Sequence, residues 1–78
     1  MYFVYLLRNE NTDELYYGYT NNLEQRLEKH NRNNKELKLI YYEAYLSEQD
    51  ARAREQKLKQ YGQSRTHLKN RLKRSLEL

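Results

Sequence analysis

The chain has 78 residues, which allows one domain with a small core, because a chain of this size buries only about 60% of its unfolded surface. It has no cysteine, which excludes a disulfide scaffold and thiolate metal sites, and no apolar run that matches a membrane span or a secretory leader, so a cytoplasmic, membrane-free protein is expected. Residues 1–51 carry 6 basic and 9 acidic side chains, a net of −3, whereas residues 52–78 carry 9 basic and 2 acidic, a net of +7; that split points either to a polyanionic partner or to a solubilising face.

"MYFVYLLR" is rich in β-branched and aromatic residues and predicts a strand. "NENTDE" is a cluster of turn formers, and "LYYGYT" is a second strand, so residues 2–20 read as a hairpin. "TNN" then offers N-caps, and Leu23 and Leu27 stand four apart, which predicts a helix to about Asn31. After the polar loop "NRNNKE", "LKLIYYEAYL" predicts a third strand. "SEQD" is a capping box that opens a second helix at Ser47. Gly62 in "YGQS" suits the position just past a helix end. Ser64 can cap a third helix, with Leu68, Leu72 and Leu76 as its stripe. The order ββαβαα over residues 1–78 argues one α+β domain: a three-stranded, mainly antiparallel sheet flanked by helices. With modest aliphatic content, the nine tyrosines supply much of the packing.

Some residues are costly for a fold alone. Gly18 lies inside a strand, where glycine costs about 0.5–1 kcal/mol against alanine and marks a bulge or a close approach of another backbone. Alternation puts Tyr16, Gly18 and Thr20 on one face. A register that pairs Arg8 with Asp13 would set Tyr5 directly opposite Tyr16; two such phenols, taken alone, are more often packing than chemistry. Arg26 and His30 are neighbours on the first helix, one position off its leucine stripe. Either they hold phosphate or they form a solvated edge. Ala51, Glu55 and Leu58 form an inward stripe on the second helix with a carboxylate in its middle. A buried carboxylate needs an arginine, other donors or a metal. The alternatives are a structural pair and a hard ion such as Mg²⁺. The basic side chains Arg65, Lys69, Arg71, Lys73 and Arg74 surround the third helix's leucines and suit contact with a phosphate backbone.

"FVY" at 3–5, "YYG" at 16–18, the arginine and histidine of "LEQRLEKHN" and the glutamate of "ARAREQKLK" together resemble the GIY-YIG nuclease family, in order and spacing, across residues 3–58. "LIYYEAYLSEQDARAREQKLKQYG" is similar to the small stand-alone bacterial members. Phe3 and Val4 replace the first motif's Gly-Ile, and Tyr17 replaces the second motif's Ile. The resemblance implies an endonuclease on nucleic acid, DNA first, with a role in DNA repair, a Mg²⁺ or Mn²⁺ ion and no small-molecule cofactor. It implies that Tyr5 is the general base, with Tyr16 the other candidate, and that His30 accepts or orients its proton. Arg26 would hold the scissile phosphate and Glu55 the metal, and Gly18 would let the nucleic-acid backbone approach. A free phenol is only about 0.1% ionised near neutral pH, so such a base needs help. The rival reading is a nucleic-acid-binding module without catalysis; a protein-interaction domain would explain neither Glu55 nor the charge split.

Overall fold

A computed structural model describes residues 1–78. Strand β1 (Tyr2–Asn9) is central, with β2 (Leu15–Thr20) on one side and β3 (Leu37–Tyr45) on the other, both antiparallel to it. Three α-helices, α1 (Leu23–Asn33), α2 (Glu48–Gln60) and α3 (Gly62–Arg71), complete the expected ββαβαα order, and a short 3₁₀ turn at Ser75–Glu77 follows. No helix is long and apolar enough to cross a membrane.

The period of two along β1 divides its side chains between two layers. Val4 and Leu6 point to one face, where they form the core with Ala51 and Leu58 of α2 and Leu68 of α3. Tyr17 and Tyr19 of β2 and Tyr41 and Tyr45 of β3 pack around that cluster. Phe3, Tyr5 and Leu7 alternate with these residues and face α1, whose Leu23 and Leu27 line grooves with Phe3, Tyr42, Leu7 and Leu39. The caps follow the sequence. The Asn22 side chain accepts from Gln25 N–H at 3.1 Å, and Ser47 Oγ accepts from Asp50 N–H at 3.3 Å.

Three expectations are corrected. Arg8 pairs with Leu15, not Asp13, and Tyr5 pairs with Gly18, not Tyr16. The cause is the turn: Asn9 Oδ1 accepts from the backbone N–H groups of Asn11 and Thr12, and Asp13 adopts φ 62°, so the loop keeps more residues. A slip of two positions preserves which face each side chain uses. Second, Gly62 does not terminate α2; it is the first residue of α3, and Ser64 lies within that helix. Tyr61 alone is extended, and it caps both helices with its own backbone: its N–H meets the Lys57 carbonyl, and its carbonyl accepts from Ser64. Third, α3 ends at Arg71, so Lys73, Arg74 and Leu76 fall beyond it. Arg8 Nη1 reaches the carbonyl of Leu76 and Nη2 that of Leu78, which holds this segment against the end of β1.

Candidate active site

Tyr5 is the centre of the site. Its ring lies across Gly18, its partner on β2. A Cβ placed on Gly18 would stand 2.2 Å from Tyr5 Cζ and 2.3 Å from its hydroxyl oxygen. The gap that the glycine opens is therefore filled from within the protein. The expectation that Gly18 admits a nucleic-acid backbone gives way to a simpler one, that it seats the phenol. Tyr5 is only 4% exposed, and its hydroxyl oxygen lies 3.1 Å from His30 Nε2. The two rings meet edge-on, with centroids 5.8 Å apart.

His30 is held below the ordinary histidine pKa, first by burial and then by the charges of Arg26 and Lys29. Near neutral pH this favours the uncharged imidazole, whose Nε2 can accept the phenolic proton. Tyr16 shares the Tyr5 face but stands opposite Leu7, exposed, with its hydroxyl donating to Glu14 Oε2 at 2.6 Å. That bond, with desolvation and the Glu14 charge, pushes the Tyr16 phenol up. Phenolate is thus disfavoured at Tyr16, and only Tyr5 has a hydroxyl in contact with His30.

Arg26 lies one turn before His30 and opens onto a groove of about 460 Å³ lined by polar and charged side chains alone. Lys29 and Arg32 of α1 join it there, and Thr20 of β2 forms part of the wall. Neither Lys29 nor Arg32 stood out in the sequence. The signal was their spacing: positions 26, 29 and 32 repeat every three residues and follow one flank of a helix.

Glu55 stands apart from this group. Its helix packs through Ala51 and Leu58 on the Val4–Leu6 face, the layer opposite α1. Its carboxylate side chain is 20% exposed and pairs with Lys59 Nζ at 3.3 Å. The fold therefore brings four of the five expected catalytic groups, Tyr5, Tyr16, Arg26 and His30, to one side together with Gly18, and Glu55 lies on the other layer. No cluster of three or more His, Cys, Asp or Glu side chains forms anywhere in the fold. An ion held by Glu55 would draw on one carboxylate and complete its shell with phosphate oxygens and water, which is how Mg²⁺ commonly binds.

Residues 1–71 match the GIY-YIG catalytic domain family. The chain belongs to that family. It is also similar to the UPF0213 protein CPE1444 of Clostridium perfringens, at 36% identity over 67 residues that span 76% of this chain and 71% of that protein. No solved structure matches the chain.

In this GIY-YIG domain the basic residues near the C-terminal end divide by role. Arg65 also serves the fold. Its Nη1 donates to the carbonyls of Leu58 and Lys59, both at 2.9 Å, and so satisfies two of the acceptors that the last turn of α2 leaves open. Lys69, Arg71, Lys73 and Arg74 are exposed, on the layer of α2 and α3 and across the sheet from His30.

The sequence reading also missed a polar network on that layer. Glu43 of β3 accepts from Arg54 Nε and Nη2 at 3.1 Å, from Tyr41 at 2.8 Å, and from Tyr45. Burial would raise the Glu43 carboxyl, but the bonds from Arg54, Tyr45 and Tyr41 outweigh it and hold the group below its usual value. The same network, after burial, pushes Tyr45 up to about 12. Glu43 is the structural carboxylate–arginine pair of this domain, the role weighed for Glu55 from sequence.

Proposed function

We propose that this protein is a Mg²⁺-dependent endonuclease that hydrolyses phosphodiester bonds in DNA. The observation that carries the reading is the 3.1 Å contact between the Tyr5 hydroxyl and His30 Nε2, beside a groove that gathers Arg26, Lys29 and Arg32. A phenol that hands its proton to a neutral imidazole can take one from water in the same step. Water oxygen then bonds to phosphorus as the leaving oxygen departs. Arg26 offsets the charge that grows on the phosphate, and Lys29 and Arg32 hold its neighbours along the strand. Tyr16 helps to orient the water. Glu55 would hold the metal, after release from Lys59. A bound Mg²⁺ supplies stabilisation of the leaving oxygen and polarises the phosphate.

One observation favours a second reading, a nucleic-acid-binding module without catalysis: Glu55 is on the opposite layer and already has a cationic partner. The two readings separate in one experiment. Labelled duplex, branched and single-stranded DNA, and RNA, are incubated with the protein in Mg²⁺, in Mn²⁺ and with chelator. Metal-dependent cleavage that falls about 10²–10⁴-fold in Tyr5→Phe supports the general-base role. Glu55→Gln should abolish cleavage and leave binding intact. Wild-type cleavage by a folded Glu55→Gln protein would end the metal assignment. Binding without cleavage on every substrate selects the module.

A further inference from the structure

Tyr42 is a large aromatic residue left 52% exposed. It pairs with Tyr5 across the β1–β3 ladder and so shares its face. Its ring meets Phe3 edge-on at 6.0 Å. Together they floor an open groove of about 490 Å³, walled by Leu27 and rimmed by Asn21, Asn22 and Glu24. No cation lines it, so it is not a place for phosphate. The cationic groove of Arg26, Lys29 and Arg32 lies on the other flank of α1, and the two grooves share Asn21 and Asn22.

One unit of chemistry matches that pairing. A nucleotide carries an anionic phosphate and, one sugar away, a flat base with a polar edge. An aromatic floor offers the base a stacking surface. The rim offers an amide, which donates and accepts, and a carboxylate, which accepts from base amino and ring N–H groups. We infer that the groove beside Tyr42 seats an unpaired nucleobase of the substrate, next to the phosphate held at Arg26. A stacked, paired base cannot reach it, so the bound strand is single-stranded or opened at that point. This inference rests on the nucleic-acid reading above and narrows its substrate class.

The test measures binding with chelator present, so that nothing is cleaved. The probes are a short fluorescein-labelled single strand with 2-aminopurine at one position and the duplex of the same sequence. The wild type should bind the single strand more tightly than the duplex and quench the 2-aminopurine. Tyr42→Ala should weaken single-strand binding about 5- to 160-fold, the range set by stacking of one base, and leave duplex binding unchanged. Tyr42→Phe should keep the wild-type value, because it keeps the platform. Glu24→Ala, at an exposed position, should lower single-strand affinity without disturbing the floor. Equal single-strand binding by the wild type and Tyr42→Ala overturns the base seat alone and leaves the groove to an apolar protein segment. No binding of either probe by the wild type overturns the nucleic-acid reading, and the base seat with it.

Discussion

Gly18 stands directly across the β1–β2 ladder from Tyr5, and the Tyr5 ring occupies the space that any side chain at 18 would need. The Tyr5 ring cannot simply swing aside, because it is almost fully buried under α1. Gly18→Ala should therefore lose about 1–3 kcal/mol of stability, the usual cost of overpacking. For a domain of this size each kcal/mol moves the Tm by about 4–8 °C. The variant should also lose the Tyr5–His30 contact, and with it cleavage by the folded fraction. A Gly18→Ala protein with an unchanged melting curve and an intact contact would contradict the seating role.

His30 carries a pH signature with a definite sign. Its folded-state pKa lies below the unfolded value near 6.5, because burial, Arg26 and Lys29 disfavour the charged ring. Its contribution to stability is full above that unfolded value and is lost as pH falls from about 6.5 toward the lower folded pKa. Thermal melts should thus decline on the acid side of neutrality, and His30→Gln should flatten that part of the profile. Arg26→Gln should raise the His30 pKa toward the ordinary value, read by NMR titration of the imidazole. An unmoved titration would show that Arg26 is not electrostatically coupled to the ring.

The Glu43–Arg54 pair predicts a stability effect separable from chemistry. Arg54→Met leaves a half-buried carboxylate with two tyrosine donors and without its hydrogen-bonded cation. The expected loss is about 1–3 kcal/mol, the penalty for an uncompensated polar group. Glu43 has a depressed pKa, so its stabilisation is present above its unfolded value and is lost as pH falls through the lower folded one. Chemical denaturation of Arg54→Met should therefore show a smaller gap between neutral and acid pH than the wild type does.

The basic side chains near the end of the chain should respond in two ways. On duplex DNA each phosphate contact contributes about −0.9 to the slope of log affinity against log salt. Lys69→Gln, Lys73→Gln or Arg74→Gln should reduce that slope by about one unit wherever the residue touches the backbone, with folding unchanged. Arg65→Gln should act on the melting temperature instead, since Arg65 bonds the end of α2. A lower salt slope with an unchanged Tm in Arg65→Gln would restore its role as a phosphate contact.

What the sequence determined by itself is local. Alternation and turn residues were enough for three strands, and Asn22 and Ser47 marked the starts of α1 and α2, because capping depends on neighbours within one turn. The shared face of Tyr5, Tyr16 and Gly18 was also legible, since a strand's period of two survives a slip of two residues. The tertiary structure decided the rest. Asn9 and Asp13 set the register through side-chain and backbone choices that a propensity pattern does not contain. Arg65 looked like one more cation until the α2 carbonyls were in place to receive it. Glu43 and Arg54 stand on different elements, so their pairing exists only after β3 and α2 pack. The Tyr5 ring over Gly18 and the Tyr5 contact with His30 likewise join residues distant in the chain. Which side chain fills a gap, and which charge finds a partner, is fixed by packing between elements, and residue order alone does not encode it in any local pattern.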